Sequence, residues 1–204
     1  MTPSCLRRGL FGGTFDPPHM GHLVMAEAAR SQLGLHEVIF MPAAQPPHKQ
    51  GKKICATEQR VAMVRHAIAD NEDFTLSTFE ASRKGPNYTT ETMRLLREEW
   101  GDRVELFFIM GLDSLVDLPL WYKPQQLIEL VKLAVIARPG YHADMDTLER
   151  LLPGISKRVF FAHAPLIGIS STDIRKRVQE GKSIRYLVPR GVEQYIEEWG
   201  LYRQ

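Results

Sequence analysis

Short apolar runs alternate along the chain with segments in which apolar residues recur every three to four positions. The runs have the length of strands, and the segments between them have the period of amphipathic helices. Several helical segments end at a glycine, as at Gly34, Gly101 and Gly181. Such alternation is typical of β-α-β units, in which helices cover a parallel sheet. The pattern therefore predicts an α/β protein with a Rossmann-like, doubly wound parallel sheet.

The predicted elements form a single domain over residues 1–204, with a small C-terminal helical portion at about 170–204. Residues 42–55 include three prolines and are interpreted as a long loop, which commonly carries function. Ser170 and Asp173 have the spacing of a capping box and predict a helix start. Predicted strands lie at 6–11, 37–41, 74–80, 104–110, 133–137 and 159–162, and predicted helices at about 20–33, 57–70, 90–100, 113–118, 144–152, 171–180 and 189–199.

Composition and charge narrow the choice of partners. Of 204 residues 44% are apolar, and 26 basic side chains stand against 24 acidic ones, a net charge of +2. This balance lacks the positive charge of proteins that bind nucleic acids or membranes, so neither is expected as a partner. The two cysteines form no CxxC pair, and no segment resembles a signal peptide, which favours a cytoplasmic location. A homo-oligomer stays possible.

Chemistry is concentrated in the segment GGTFDPPHMGH, which begins at Gly12 where the first strand gives way to a helix. Ligands of α/β sheets bind beyond the carboxyl ends of the strands. Gly12 and Gly13 let a phosphate approach the backbone, and the N–H groups of the next helix favour an anion. His19 and His22, with Gly21 between them, share a helix face and can donate to one phosphoryl group. A glycine turn with two surface histidines is the alternative on spacing alone.

This segment resembles the first signature of the nucleotidyltransferases with an HxGH motif, in particular that of bacterial nicotinate-nucleotide adenylyltransferases. Their second signature, iSSTxIR, resembles ISSTDIR from Ile169. Glu91 stands where the family more often has aspartate. Further family-like segments occur in the expected order, so the resemblance spans nearly the whole chain. They are MP at Met41, PPHK from Pro46, YTTET from Tyr88, GLDSL from Gly111, WY at Trp121, ARPG from Ala137 and YLVP from Tyr186.

The resemblance implies transfer of AMP from ATP to nicotinate mononucleotide, which gives nicotinate adenine dinucleotide and pyrophosphate in NAD biosynthesis. The acceptor is a largely dianionic phosphate monoester, so in-line attack needs neither a strong base nor a covalent intermediate. The implied catalytic residues are His19, His22 and Arg175, with Mg²⁺ carried by the ATP phosphates and no metal site made by side chains. The residues implied for ATP are Gly12, Gly13, Thr14, Phe15, Gly21, Ile169, Ser170, Ser171 and Thr172.

On the acceptor side, the resemblance implies that Trp121 stacks on the pyridine ring. It also implies that backbone N–H groups near Thr89 and Tyr122 bind the nicotinate carboxylate, and that Asp113 accepts from a ribose hydroxyl. The residues implied for the mononucleotide are Lys49, Tyr88, Thr89, Gly111, Asp113, Trp121, Tyr122 and Arg138.

Structural roles are the alternatives for several of these residues. Asp113 can favour a helix dipole, and Trp121 can fix its loop to the core. Trp100 and Trp199 each stand at a predicted helix end before a glycine and are expected to pack.

Other classes of protein share part of the pattern. A phosphopantetheine adenylyltransferase would carry threonine in place of His19 and would lack the WY and YTxET segments. A class I aminoacyl-tRNA synthetase would need a KMSKS-like element and a longer chain. A non-catalytic nucleotide-binding regulator would not need His19, His22 and Arg175. The sibling adenylyltransferase and the regulator stay as alternatives, and the sequence does not decide between nicotinate and nicotinamide mononucleotide.

Overall fold

The structure is a computed structural model and describes residues 6–44, 54–83, 85, 87–137 and 143–203. Its strands are β1 (Leu6–Gly13), β2 (Glu37–Pro42), β3 (Phe74–Leu76), β4 (Val104–Gly111), β5 (Lys132–Ala137) and β6 (Val159–His163). Its helices are α1 (Met20–Leu33), α2 (Thr57–Ala67), α3 (Thr89–Trp100), α4 (Leu112–Val116), α5 (Pro124–Leu130), α6 (Met145–Leu151), α7 (Ser171–Gln179) and α8 (Arg190–Glu198).

The strands lie parallel in one sheet in the order β3-β2-β1-β4-β5-β6. The chain first moves from β1 to one edge, and β4 then returns to the other side of β1. The winding direction therefore reverses between β1 and β4, which is where open α/β sheets bind their ligands. The predicted fold class is confirmed.

Helices cover both faces of the sheet, so the strands are buried on both sides. Along β2, Val38 and Phe40 pack with α1, α2, α7 and α8, whereas Ile39 and Met41 pack with α3, α4, α5 and α6. Successive residues of a strand point to opposite faces, which explains why these strands are continuously apolar. Because helices cover both faces, a ligand is expected at the carboxyl ends of the strands, between β1 and β4, where the winding direction reverses.

The C-terminal helices join the same layer as α1 and α2. Ser170 caps α7, because its Oγ accepts from the Asp173 N–H over 3.0 Å, so the predicted helix start is confirmed. Val192 and Ile196 of α8 are buried against this layer. No helix in the described parts of the chain is both long enough and apolar enough to cross a bilayer.

Some predicted elements are wrong in extent. The strand predicted at 74–80 ends at Leu76, because Ser77 starts a turn in which its Oγ accepts from the Phe79 N–H over 3.2 Å. The helix predicted at 57–70 ends at Ala67, and α5 was not predicted. Trp100 packs against the core as expected, but Trp199 is 59% exposed.

Candidate active site

At the end of β1, the backbone of Gly12 and Gly13 carries no side chains and separates two clefts. We call these two residues the glycine floor. A Cβ added to Gly13 would lie 2.9 Å from the Phe15 ring, so a side chain there would displace that ring. Phe15 is buried at a positive φ of 49° and packs edge-on against Phe11. Gly12 and Gly13 line both clefts. A group bound on one side can therefore meet a group bound on the other above this backbone.

Two stacked imidazoles stand beside this floor. His19 is the N-cap of α1 and His22 the third helical residue, and their ring centroids are 3.7 Å apart. The Nδ1 of His22 accepts from the backbone N–H of His19 over 3.1 Å. A neutral imidazole that accepts at Nδ1 carries its proton on Nε2, so His22 is set to donate from Nε2. The predicted pairing is present, with His19 just outside the helix.

Burial keeps His19 uncharged at neutral pH. The residue is 7% exposed, and this burial lowers the pKa of its imidazole to about 4. Its Nδ1 is buried without a hydrogen-bond partner among the described residues. A Cβ added to Gly21 would lie 3.1 Å from this Nδ1, so the glycine leaves the ring its place. His19 can therefore donate one hydrogen bond but brings no positive charge.

The second motif contacts the first directly. Ser171 Oγ donates to the Pro17 carbonyl over 2.9 Å, and Arg175 Nη1 donates to the Asp16 carbonyl over 2.7 Å. Arg175 Nη2 also donates to Thr172 Oγ1 over 3.3 Å. The hydroxyl of Ser171 is thus engaged by protein, whereas three of the five guanidinium N–H groups of Arg175 are outside these two bonds.

The same loop is also tied to the C-terminal part of the chain. Asp16 is 1% exposed, and the Tyr202 hydroxyl donates to its Oδ1 over 2.7 Å. Burial and the neighbouring Asp16 carboxylate raise the pKa of Tyr202, so the phenol stays a donor. The bond between Asp16 and Tyr202 therefore joins the loop of the first motif to the segment that follows α8.

One cleft lies beside His19 and His22 and has a volume of about 360 Å³; we call it the nucleotide-side cleft after the residues predicted for ATP that line it. Val24, Met25 and Ile136 give it an apolar wall, opposite the polar groups of the two motifs. The predicted site residues that line it are Gly12, Gly13, Phe15, His19, Gly21, His22, Gly111, Asp113, Ile169, Ser170 and Ser171.

The second cleft has a volume of about 270 Å³ and an aromatic wall that includes Tyr88, Trp121 and Tyr122. We call it the acceptor-side cleft after the residues predicted for the mononucleotide that line it. Trp121 is half-buried, with its ring edge-on to Phe108 at 6.0 Å between centroids. Tyr88 and Tyr122 stack at 4.4 Å between centroids and are exposed at the rim. Thr89, the first residue of α3, also lines this cleft, so the helix N-terminus faces it.

Three buried polar residues of this cleft were missed by the sequence reasoning: Glu80, Asn87 and Thr90. Burial raises the pKa of Glu80, whose Oε1 accepts from Thr92 Oγ1 over 2.6 Å. Thr90 Oγ1 donates to the Tyr122 carbonyl over 2.7 Å, which joins α3 to the aromatic wall. The sequence offered one indication of a buried polar partner: Thr92, which donates to Glu80, stands at a buried position of α3 where an apolar residue is expected.

Some placements differ from the predicted grouping. Thr14, which the resemblance implies for ATP, lines the cleft beside Trp121 and Tyr122. Gly111 and Asp113, grouped with the mononucleotide, line the nucleotide-side cleft at the end of β4. Lys49 and Arg138 lie outside the described residues.

The fold and the site together define a nucleotidyltransferase. The cytidylyltransferase-like family model matches residues 10–177 of the chain. The chain therefore belongs to the cytidylyltransferase-like family.

Similar sequences narrow this class. A probable nicotinate-nucleotide adenylyltransferase of Thermomicrobium roseum is 48% identical over 97% of this chain and 92% of its own. Those of Lactiplantibacillus plantarum and Exiguobacterium sibiricum are 47% and 45% identical, over 97% of this chain and 89% and 99% of their own. Within the family, the chain thus groups with the nicotinate-nucleotide adenylyltransferases.

Solved structures agree on the fold. Plasmodium falciparum nicotinic acid mononucleotide adenylyltransferase complexed with NaAD has a TM-score of 0.78 at 19% identity, with 97% of each chain covered. The same protein complexed with APC has a TM-score of 0.77 at 18% identity, again with 97% of each chain covered. At these identities the likeness concerns the fold alone.

Proposed function

We propose that the protein transfers AMP from ATP to nicotinate mononucleotide and releases pyrophosphate, forming nicotinate adenine dinucleotide for NAD biosynthesis. The observation that carries this proposal is the shared floor of Gly12 and Gly13, which joins two clefts beside paired imidazoles. Such a floor lets the acceptor phosphate approach the α-phosphate of ATP in line. This activity fits the cytoplasmic location expected from the sequence.

The imidazoles stabilise charge at the α-phosphate. His22 donates from Nε2, and neutral His19 donates a second hydrogen bond as negative charge builds on the phosphate oxygens. Neither residue needs to remove a proton, because the attacking phosphate monoester is largely dianionic at neutral pH. The catalytic contribution of the two residues is thus orientation and charge stabilisation.

The leaving pyrophosphate lies toward α7. The first N–H groups of that helix would bind the phosphates, and Arg175, which is bonded to the Asp16 carbonyl of the first motif, would add its remaining donors on the same side. Ser170 caps the helix and lines the cleft, whereas Ser171 positions the first loop through Pro17. Lys49 and Arg138, which the resemblance implies for the mononucleotide, stay predictions.

A divalent ion would arrive on the phosphates of the nucleotide. Among the described residues no three His, Cys, Asp or Glu side chains come together as a metal site, and Asp113 is the carboxylate that lines the nucleotide-side cleft. Mg²⁺ bound to the ATP phosphates supplies positive charge to the triphosphate. Asp113 is placed to orient a ribose hydroxyl.

The acceptor-side cleft suits a pyridine carboxylate. Trp121 offers a flat face to the ring, and the N-terminus of α3 at Thr89 offers backbone N–H groups to the carboxylate. These N–H groups donate only, so they favour a carboxylate over the amide of nicotinamide, which also presents donors.

The test is pyrophosphate release by the purified protein with ATP and Mg²⁺. Nicotinate mononucleotide, nicotinamide mononucleotide and phosphopantetheine are compared as acceptors at equal concentration. Strong preference for the first supports the proposal. Turnover of phosphopantetheine alone would overturn the acceptor assignment, and ATP binding without turnover of any acceptor would favour a non-catalytic regulator.

A further inference from the structure

One buried arginine joins three segments around the acceptor-side cleft. Arg60 of α2 is 0% exposed. Its Nη1 donates to the Thr14 carbonyl over 2.8 Å, and its Nη2 donates to the Ala44 carbonyl over 3.1 Å. Its Nε donates to the Cys55 carbonyl over 3.1 Å. The guanidinium thus connects the loop after β1, the end of the β2 segment and the start of α2.

The connection continues from Ala44 to the opposite wall. The Ala44 N–H donates to Asn87 Oδ1 over 3.1 Å, and Asn87 Nδ2 donates to the Glu80 carbonyl over 3.3 Å. The Glu80 carboxyl in turn accepts from Thr92 of α3 over 2.6 Å. A chain of buried and partly buried hydrogen bonds therefore runs from the glycine floor to α3. We call it the buried chain, made of Thr14, Arg60, Ala44, Asn87, Glu80 and Thr92.

The buried chain follows the outline of the cleft. Thr14, Glu80 and Asn87 line the cleft, whereas Arg60 lies behind its wall. Removing a guanidinium from water is costly, and the buried carboxylate of Asp16 offsets part of that cost. The bonds of Arg60 go to protein atoms of the cleft segments, so its contribution is to their relative position.

We propose that Arg60 is a positioning residue for the acceptor: together with the backbone bond from the Ala43 N–H to the Gly13 carbonyl, it holds Thr14 and Ala44 as one rigid wall of the acceptor-side cleft, and Asn87 connects that wall to the α3 side, so that the width of the cleft is fixed. The identity of the acceptor rests on the proposed function, whereas the fixed width of the cleft does not. Loss of the guanidinium fork should weaken acceptor binding more than ATP binding, because the first motif, which contains Thr14, is also held by Ser171 at Pro17 and by Arg175 at Asp16.

The experiment compares Arg60→Lys with a matched control, Arg97→Lys. Arg97 also joins backbone carbonyls, those of Val104 at 2.6 Å and Leu130 at 2.9 Å, but outside both clefts. Both variants lose a bridging guanidinium. We expect Arg60→Lys to raise the KM for nicotinate mononucleotide about tenfold, with the KM for ATP and kcat within about twofold. Arg97→Lys should leave all three within about twofold.

A second readout does not depend on turnover. Amide hydrogen exchange at Ala44 should become faster in Arg60→Lys than in the wild type and stay unchanged in Arg97→Lys, because only the first variant loosens that wall. Asn87→Ser removes the next link and serves if Arg60→Lys does not fold. It should raise the same KM; exchange at Ala44 is informative only for Arg60→Lys, because Asn87 Oδ1 is itself the acceptor of the Ala44 N–H.

Each outcome has a separate meaning. Equal rises in KM for ATP and the acceptor, or the same rise in Arg97→Lys, would overturn the positioning role. Unchanged KM in both Arg60→Lys and Asn87→Ser, with unchanged exchange in Arg60→Lys, would overturn it as well. If the wild type does not use nicotinate mononucleotide, the proposed function fails, and the exchange rates alone decide whether Arg60 holds the cleft.

Discussion

The two clefts that meet at Gly12 and Gly13 are constructed in different ways. The polar side of the nucleotide-side cleft comes from two short motifs, whose side chains face the cleft or contact each other directly. The acceptor-side cleft is assembled from separate segments, and buried bonds such as those of Arg60 hold them in place. The first cleft depends on a few catalytic groups and the second on the shape of its walls. Substitutions should therefore lower kcat on one side and raise the acceptor KM on the other.

The largest expected effect is on the nucleotide side. His22→Ala removes a donor to the developing charge and should lower kcat about 100-fold or more, with a smaller change in the KM for ATP. His36→Ala is the matched control, because its Nδ1 likewise accepts a backbone N–H, from Arg7 at 3.0 Å, away from both clefts. Steady-state kinetics measure both variants. A loss of kcat below tenfold in His22→Ala would contradict the assigned role.

The next effect is on the acceptor side. Trp121→Ala removes the proposed stacking surface and should raise the KM for nicotinate mononucleotide about tenfold, the scale of one lost aromatic stacking contact. The KM for ATP should change less than about twofold. Trp199→Ala, which removes a 59% exposed ring at the C-cap of α8, serves as the control and should leave both constants unchanged. An unchanged KM for nicotinate mononucleotide in Trp121→Ala would contradict the proposal that Trp121 stacks on the pyridine ring.

The pH dependence of the free energy of unfolding tests whether burial keeps His19 neutral. The pKa of His19 is lowered to about 4, so between pH 6.5 and 4 the unfolded chain binds a proton there and the folded chain does not. The free energy of unfolding should therefore decrease as the pH is lowered from 6.5 to 4, and more steeply in the wild type than in His19→Asn. Denaturant titrations at several pH values measure the slope. Parallel slopes would show that His19 is not held neutral by folding.

The smallest effect on activity is expected below both clefts. Tyr202→Phe removes the donor to the buried Asp16 carboxylate and should lower the free energy of unfolding by about 1.5–3 kcal/mol. The value of kcat should fall by less than about threefold, since the loop keeps its bonds to Ser171 and Arg175. Tyr186→Phe, at a residue 86% exposed, is the control for stability. Equal free energies of unfolding for the two variants would show that the hydrogen bond from Tyr202 to Asp16 does not stabilise the fold.

The difference between the clefts also explains what the sequence could predict. The strand-glycine-helix transition and the Ser170 cap depend on neighbouring residues, so their local pattern was sufficient. Asn87 bonds to Ala44, 43 positions earlier, and no local pattern indicates such a pair. Glu80 was assigned to a strand because its segment alternates, yet the chain turns at Ser77 and buries it. Trp199 shows the reverse error, since ring size alone does not ensure burial.

The bond between Tyr202 and Asp16 has a consequence for protein synthesis. It joins residues 186 positions apart, and α7 and α8 lie between them in the same C-terminal segment. During translation, the loop that carries the first motif leaves the ribosome long before its partners from residue 171 onward. A nascent chain therefore has its glycine floor early but lacks the contacts that hold it. Competence to consume ATP should therefore arise only after residue 202 has left the ribosome, and chains that stop before α7 should not compete for the nucleotide.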